Sequence, residues 1–361
     1  MMLNVKTPYT IQNLTVKNRI LRSATMENLA DEHGFVTDKL VKLYLDLATG
    51  GTGLIITGAS AVEQKGKVWK HQTAVWDDRY VEGLARIAEV IHQNGDNCKC
   101  AVQLHHGGMA GFGYSYGSKD GGYSLDDASD SEIGNTIEAF GAAALRVKQA
   151  GFDAIAVHAA HGYLISQFMS PLTNSRTDQW GGNPAKRMRF ALEVCQSIRD
   201  KVGADFPLLW KMNCSDYCSG GSELADYAQI AQKLVQAGVD LIEVSGGVKE
   251  QIKLRSQLKK KAAEQEAYFR DAIEPFRNAI GNKALAITGG IRSLDIMKGL
   301  IDEGVDMLGI CRPLISEPDF PRKIFDPAEN NSARCTSCNK CLLRIATEPL
   351  KCVEFDITDT E

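Results

Sequence analysis

The chain has 361 residues, of which 44% are hydrophobic and 24% charged, and its formal net charge is −4. This composition is typical of a globular protein, and it shows neither the basic excess of a nucleic-acid-binding protein nor the acidic run of a disordered tail. No segment is apolar over the roughly 18 residues of a membrane span, and residues 1–10 lack the apolar region of a secretory signal. We therefore expect a cytoplasmic protein that binds neither nucleic acid nor membrane.

Short segments rich in Ile, Val and Leu alternate with longer segments of helical periodicity. The predicted buried strands are Ile20–Thr25, Gly53–Thr57, Lys99–Leu104, Ala154–His158, Leu208–Asn213, Leu241–Val244, Ala284–Thr288 and Met307–Cys311. The predicted helices lie near residues 38–49, 80–94, 132–150, 186–201, 222–237, 262–280 and 293–303. Eight strands separated by helices favour a closed (β/α)8 TIM barrel over the alternative, a doubly wound open sheet.

Two segments lie outside this alternation. Residues 9–18 alternate like a short hairpin, which is expected to close the bottom of the barrel. After the last helix, the composition changes to a cysteine-rich tail. We therefore divide the chain into a barrel domain, residues 1–328, and a C-terminal extension, residues 329–361. The six cysteines outside the tail are expected to be reduced, buried small hydrophobic residues.

Polar residues follow most predicted strands, and in a β/α barrel the carboxyl ends of the strands converge on the face that carries the active site. His158 and His161 end one strand, so both imidazoles are expected in one cavity. Neutral imidazoles there would donate hydrogen bonds to a carbonyl or nitro oxygen. Histidines bonded to backbone carbonyls and a zinc pair remain as alternatives, although no third ligand at zinc spacing is evident.

Lys211 is the only charged residue in the strand Leu208–Asn213. Because burial of an unpaired charge is unfavourable, its ammonium group is expected to face an anion or a carbonyl. A Schiff-base aldolase would use this lysine as a nucleophile, and a flavin enzyme would use it to stabilise the reduced ring. Gly289-Gly290 and Arg312 follow the last two strands, where β/α barrels bind phosphate, and they indicate a phosphorylated ligand under either interpretation.

The segment from His158 to Gly182, HAAHGYLISQFMSPLTNSRTDQWGG, closely resembles the signature of the Old Yellow Enzyme family of NADH:flavin oxidoreductases. The resemblance extends from Pro8 to about Pro318. It is strongest toward the branch that contains 2,4-dienoyl-CoA reductase and trimethylamine dehydrogenase. It implies FMN bound noncovalently at the mouth of the barrel, with NAD(P)H as the reductant.

The resemblance also implies roles for individual residues. Those implied to line the flavin ring, bind its pyrimidine edge or lie beside N1 are Ser23, Ala24, Thr25, Met26, Ala59, Gln103 and Lys211. Those implied to bind the phosphate are Gly289, Gly290, Cys311 and Arg312. His158 and His161 would hold the substrate oxygen, and Tyr163 would donate a proton.

The sequence departs from the family pattern at two positions. Asn28 and Met109 stand where related ene-reductases carry tyrosine and arginine. These differences bear on the identity of the alkene substrate more than on the identity of the cofactor.

The tail contains Cys335, Cys338 and Cys341 at C-x2-C-x2-C spacing, and Cys352 follows after ten intervening residues. Clustered thiolates of this kind hold iron–sulfur clusters or zinc. The pattern resembles the [4Fe–4S] site of trimethylamine dehydrogenase, and zinc or a metal-free tail remain as alternatives. A bound cluster would pass single electrons to FMN from an external electron carrier.

The resemblance implies hydride transfer from NAD(P)H through FMN to an activated alkene, a small-molecule substrate. An amine dehydrogenase or demethylase, and a ferredoxin-linked reductase, are alternatives favoured by the tail. A Schiff-base aldolase that uses Lys211 is a third candidate, and a non-catalytic binding protein would leave the histidines unexplained. By analogy with relatives we expect a homo-oligomer.

Two long connections complete the sequence. Residues 107–124 are rich in glycine and include Tyr114 and Tyr116, which we expect to lie in a flexible loop or to face the substrate. The basic stretch 249–261 is interpreted as a solvated surface, with the phosphates of NADPH or coenzyme A as the alternative ligand.

Overall fold

The structure, a computed structural model, describes residues 4–111, 125–248, 265–326, 328–329, 331–345 and 347–355. Eight parallel strands close into a barrel in the order β10-β3-β4-β5-β6-β7-β8-β9. Their bounds are β3 Ile20–Arg22, β4 Leu54–Ala61, β5 Lys99–His105, β6 Ala154–Ala159, β7 Leu208–Asn213, β8 Leu241–Ser245, β9 Ala284–Ile287 and β10 Met307–Ile310. The predicted TIM barrel is thus confirmed.

Helices follow the barrel strands and cover them. The larger helices are α1 Asp38–Thr49, α2 Val81–Asn94, α3 Asp130–Gln149, α6 Arg189–Val202, α7 Leu224–Gln236, α8 Ile273–Ile280 and α9 Leu294–Asp302. The short helices are α4 Leu164–Met169, α5 Pro184–Arg187, α10 Arg312–Ser316, α11 Phe320–Lys323 and α12 Lys340–Arg344. None of the helices in the described part of the chain combines the length and apolarity needed to cross a bilayer.

The glycines that we expected at helix ends adopt the left-handed backbone conformation that ends a helix. Gly151, Gly238 and Gly304 have φ values of 83°, 112° and 94°, and each follows shortly after its helix. One helix begins later than predicted. We expected a helix over residues 262–280, but α8 begins only at Ile273, and a 3-10 turn at Arg270–Ala272 precedes it.

The hairpin at the N-terminus closes the bottom of the barrel. Strands β1 Tyr9–Ile11 and β2 Leu14–Val16 pair in an antiparallel register. The buried side chains of Ile11, Leu14 and Val16 pack against the apolar residues at the start of the barrel strands. These inward-facing barrel residues are Leu21, Leu54, Ile56, Ala101, Ala154, Ala156, Leu209, Leu241, Ala284, Ala286 and Met307.

Side chains along a strand alternate between the interior and exterior of a barrel. The residues two positions after the apolar set therefore also face the interior, nearer the carboxyl ends of the strands. Ser23 follows Leu21 in this way, and Lys211 follows Leu209. The barrel interior is therefore apolar at the bottom and polar at the top, where the site residues were predicted.

Several predicted segments lie outside the described residues. They are most of the glycine-rich connection, including Tyr114 and Tyr116, the whole basic stretch 249–261, and residues 262–264 of the predicted helix.

Candidate active site

A cavity of about 720 Å³ opens at the carboxyl ends of the strands. Nine residues named from the sequence line it: Ser23, Ala24, Thr25, His161, Lys211, Gly289, Gly290, Cys311 and Arg312. Most of the residues predicted to surround a phosphorylated ring ligand are therefore brought to one cavity. Of the described residues, Met26, Ala59, Gln103, His158 and Tyr163 lie outside the lining of this particular cavity.

His158, His161 and Tyr163 form one aromatic cluster beside the cavity. The ring centroid of His158 lies 5.0 Å from that of His161 and 5.1 Å from that of Tyr163. His105 joins the cluster, with its ring 4.5 Å from the Tyr163 ring and 5.3 Å from the His158 ring. Trp69 packs at the edge of Tyr163, 6.1 Å away. The two histidines are thus neighbours, as their spacing in the sequence indicated, and Tyr163, which the family resemblance had implied, lies beside them.

Burial sets the charge state of the central histidine. The pKa of His158 lies well below its usual range, mainly because of burial and then because His161, His105 and Lys211 lie nearby. His158 therefore stays neutral near pH 7 and retains one N–H donor.

The chain turns sharply at His161, which has a φ of 63°. Asn213 at the end of β7 accepts a hydrogen bond from the His161 backbone N–H at 3.0 Å. The His161 Nε2 atom lies 2.6 Å from the hydroxyl of Ser245 at the end of β8. Two neighbouring strands therefore fix both the backbone and the ring of His161 at the cavity wall, in a conformation that few residue types tolerate.

Lys211 is paired with an acid that we did not predict. Its Nζ atom lies 3.1 Å from Glu243 Oε1 and donates to Ser23 Oγ at 2.6 Å. The Ser23 hydroxyl in turn donates to Glu243 at 2.6 Å. Lys211 and Glu243 are direct neighbours in the register of β7 and β8, and both are buried. The lysine thus faces an anion as expected, but that anion is a side chain of the barrel itself.

The end of the cavity formed by the last two strands has the features of a phosphate site. Gly289 and Gly290 have φ values of 113° and 78°, and a side chain at either position would approach the ring of Tyr268 or Phe269 within about 3 Å. Arg312 begins α10 and is buried at the cavity wall. A fixed guanidinium beside two glycines provides charge and close backbone access for an anion.

An irregularity in β4 shapes the opposite wall. The register of β4 against β5 shifts between Ile56 and Ala59, after which Ala59 pairs with Gln103. The buried carboxylate of Glu27 holds this bulge by accepting a hydrogen bond from the Gly58 N–H at 2.7 Å. Such bulges commonly redirect side chains near active sites. Met26, which precedes Glu27 in the chain, is buried.

The tail gathers its four cysteines around a second, smaller cavity. Cys335, Cys338, Cys341 and Cys352 all line it, with Arg312 and Asn339. Burial and the neighbouring cysteines raise the pKa of Cys341 to about 12. Four cysteines around one cavity are the kind of donor set that holds an iron–sulfur cluster or a zinc ion, and a bound cation would favour their thiolate forms. The cysteines outside the tail are free thiols, and Cys98, Cys100, Cys195 and Cys214 are buried as expected. The expectation was wrong for Cys218 and Cys311, which are only partly buried.

Asn28 connects the barrel to this tail. Its side-chain amide donates to the carbonyl oxygen of Glu348 at 3.1 Å and accepts from the His71 N–H at 3.3 Å. The Leu350 N–H donates to the carbonyl of Glu27 next to it. Asn28 thus anchors the tail to the barrel. Met109 is partly exposed, and its backbone N–H donates to Gln167.

The sequence profile of the NADH:flavin oxidoreductase / NADH oxidase family matches residues 5–331. The chain belongs to this family. It is 34% identical over 345 residues to an NADH oxidase of Thermoanaerobacter brockii, a match that covers 91% of this chain and 52% of the relative. It is also 33% identical to an NADPH dehydrogenase of Bacillus pumilus (strain SAFR-032), with 87% of this chain and 92% of the relative covered. The chain therefore spans about half the length of the first relative and most of the second.

Among solved structures, a complex of 2-naphthoyl-CoA reductase with 2-naphthoyl-CoA has a TM-score of 0.87 to this chain at 26% identity. The match covers 97% of this chain and 56% of that chain. Together these findings confirm the resemblance to the Old Yellow Enzyme family. Family membership implies flavin-dependent oxidoreduction, with FMN as the cofactor and NAD(P)H as the reductant.

The size and chemistry of the cavity fit FMN. Its volume lies in the range of ligand pockets, and one end carries the glycine and arginine features of a phosphate site. Within the described part of the chain, the Nε2 atom of Gln103 is buried and has no hydrogen-bond partner. A buried amide donor of this kind is unfavourable unless a ligand accepts from it. Gln103 lies outside the lining of the 720 Å³ cavity itself, and its buried donor agrees with the role that the family resemblance implies for it at the pyrimidine edge of the flavin.

Sequence reasoning did not assign four residues that the structure brings to the site. Glu243 and Ser245 lie two residues apart on β8, so their side chains face the same side of the strand. This alternation is visible in the sequence and could have identified them. His105 is the last residue of β5 and thus one of the polar residues at the strand ends, but nothing in the sequence showed which residues it would contact. Trp69 comes from the connection after β4, and no sequence pattern pointed to it.

Proposed function

We propose that this protein reduces a carbon–carbon double bond conjugated to a carbonyl group, using NAD(P)H. The observation that carries the proposal is the cluster of His158, His161 and Tyr163 beside a cavity that ends in Arg312 and Gly289-Gly290. The 2-naphthoyl-CoA reductase neighbour supports a conjugated carbonyl as the substrate class. FMN, when bound, supplies the centre that accepts hydride from NAD(P)H and delivers it to the substrate.

The protein's own residues bind and polarise the substrate oxygen. A neutral His158 and the ring of His161 would donate hydrogen bonds to this oxygen, which gains negative charge as hydride is added to the β-carbon. The Ser245 hydroxyl fixes the ring orientation of His161. Since both imidazoles are held before substrate binds, they stabilise the developing charge without reorganisation.

Tyr163 is proposed to deliver the proton to the α-carbon. Its ring is 9% exposed and packs against the rings of His105 and Trp69, in the same cluster as His158. Tyrosine is a weak acid in water. Addition of hydride to the β-carbon leaves an enolate, whose α-carbon is basic enough to accept the proton of the tyrosine. Lys211, Ser23, Ala24, Thr25, Met26, Ala59 and Gln103 are proposed to hold the flavin ring, and Gly289, Gly290, Cys311 and Arg312 its phosphate.

The activity is tested by the absorption spectrum of the purified protein. We expect flavin bands that bleach with NADH or NADPH and return when cyclohexenone is added. The variant His161→Asn keeps a residue that tolerates the left-handed conformation but removes the imidazole. We expect it to retain FMN and lose about 10²- to 10³-fold in kcat for the enone. A protein that binds no FMN, or a variant with unchanged turnover, contradicts the proposal.

We also propose that residues 329–361 form an extension whose cysteines hold a [4Fe–4S] cluster. The four cysteines that line one cavity support this ligand set. The cluster would pass single electrons between FMN and an external carrier. Electrons would move from the carrier to FMN in a ferredoxin-linked reductase and from FMN to the carrier in an amine dehydrogenase, and these are the second candidate function. Anaerobic purification and iron and sulfide analysis test it. We expect about four irons per chain in the native protein and loss of iron in Cys338→Ser, and iron-free native protein contradicts it.

A further inference from the structure

The flavin cavity and the cysteine cavity share two residues. Arg312 and Asn339 line both. Arg312 Nη1 donates to Asn339 Oδ1 at 2.6 Å, and this hydrogen bond is buried. The side chain of Arg312 therefore lies between the predicted phosphate site and the cysteine-bearing turn. One hydrogen bond connects the two cavities.

The turn that places the cysteines also places the Asn339 amide. Asn339 directly follows Cys338 and precedes α12, which contains Cys341. Its φ is 62°, and Ser337 on the other side of Cys338 has a φ of 58°. A left-handed residue on each side of one cysteine leaves the backbone little freedom, because few non-glycine residues adopt this conformation. A change in the position of Cys338 must therefore move the Asn339 side chain.

Two other contacts hold this arrangement. Ser337 Oγ accepts a hydrogen bond from Arg292 Nη1 at 2.9 Å, which ties the turn to the segment after Gly290. On its other side Arg312 interacts with the hydroxyl of Tyr268, whose ring packs against Gly289 and Gly290. Of these partners of Arg312, only Asn339 belongs to the tail.

We propose that Asn339 is a positioning residue that orients Arg312 toward the phosphate of FMN, and that it thereby couples the two cofactor sites. Ligation of a cluster by Cys338 and Cys341 fixes the turn, the turn fixes Asn339, and Asn339 fixes the Arg312 guanidinium. Binding of the cluster then strengthens binding of FMN, and the coupling is reciprocal. The proposal rests on the cofactors of the proposed function.

The first test measures the FMN dissociation constant by titrating apoprotein and following flavin fluorescence. Asn339→Gly removes the amide while glycine adopts the same φ without strain. We expect about tenfold weaker FMN binding, within the usual range of coupling between sites. Lys340→Ala is the matched control, since Lys340 lies next in the same turn but is exposed and pairs with Glu354. It should change the constant less than about twofold.

A double-mutant cycle separates positioning from general damage to the tail. Arg312→Ala and the pair Arg312→Ala with Asn339→Gly complete the set. If Asn339 acts through Arg312, the pair binds FMN as weakly as Arg312→Ala alone. Additive losses would show that Asn339 affects FMN by another route and would overturn the positioning role.

The second test compares iron-loaded protein, prepared anaerobically, with the same protein after treatment with a chelator. We expect removal of iron to weaken FMN binding at least about fivefold in the native chain and less than about twofold in Asn339→Gly. Equal affinity in both native forms overturns the coupling. Failure to bind iron, even after reconstitution with ferrous iron and sulfide, overturns both the coupling and the cluster. Enone reduction is measured separately, so the ene-reductase proposal stands or fails independently.

Discussion

The two ends of the barrel are built from the same strands but are filled with different chemistry. At the bottom, Leu21, Leu209 and Leu241 face inward and are covered by the hairpin residues Ile11 and Val16. Two residues later on the same strands, Ser23, Lys211 and Glu243 face inward and are connected by hydrogen bonds. On each of these strands, the residue near the start therefore contributes to the stability of the core, and the residue near the carboxyl end faces the candidate site.

The difference shows where the fold accepts an energetic cost. Burial of apolar side chains at the bottom is favourable without any partner. Burial of Lys211 and Glu243 is unfavourable unless each finds the other, and such a pair contributes little net stability. The polar residues at the top of the barrel are therefore best explained by the ligand that they bind. The following variants test whether the bottom of the barrel contributes to stability and the top to ligand binding.

The largest effect is expected at the top, from Lys211→Met. This variant leaves Glu243 buried without its cation, and loss of one partner of a buried pair costs about 3–5 kcal/mol. We expect this loss in the free energy of urea unfolding, together with weaker FMN binding. The double variant Lys211→Met with Glu243→Gln removes both charges. It should recover most of the stability but not the FMN affinity, and recovery of both would contradict a cofactor role for Lys211.

The comparison also explains what the sequence could reveal. The β7 prediction, Leu208–Asn213, matches the structure at both ends, because local periodicity and the alternation of elements specify a buried strand. Lys211 could be identified from the sequence because a single charged residue in a buried apolar strand needs a partner of opposite charge or a polar ligand. Its partner Glu243 was not, because pairing depends on the register between β7 and β8, which a single strand does not encode.

The segment before α8 shows the opposite failure. Its helical periodicity suggested a helix through residues 262–280, yet Tyr268 and Phe269 leave the helical path and pack against Gly289 and Gly290. Those contacts join segments about 20 residues apart and build the wall of the phosphate site. Similarly, the motif around His158 predicted a cluster of three residues, but the packing of Trp69 against Tyr163 depends on a distant connection.

A smaller effect is expected at the bottom, from Ile11→Ala. Ile11 is 1% exposed and packs under the barrel, and truncation of a buried isoleucine to alanine costs about 2–4 kcal/mol. Because the hairpin lies at the face opposite the cavity, the FMN dissociation constant and kcat/KM of the folded protein should stay unchanged. Thr10→Ala on the same hairpin is the control, since Thr10 is exposed and should alter stability only slightly. A change in FMN affinity with Ile11→Ala would show that the two ends are not independent.

The smallest effect is a pH dependence of stability that originates at His158. Its folded-state pKa lies well below the usual histidine value of 6.5, so below that pH the unfolded chain binds a proton that the folded chain does not. Stability from the neutral ring is therefore complete above pH 6.5 and is lost as the pH falls below it, by at most about 1.4 kcal/mol per pH unit. We expect His158→Asn to flatten this slope in urea unfolding between about pH 6.5 and pH 5. His33→Asn, at an exposed histidine, should leave the slope as it is in the native protein. An unchanged slope in His158→Asn would mean that His158 is not held neutral, and the polar end of the barrel would then have to accommodate a cationic ring beside Lys211.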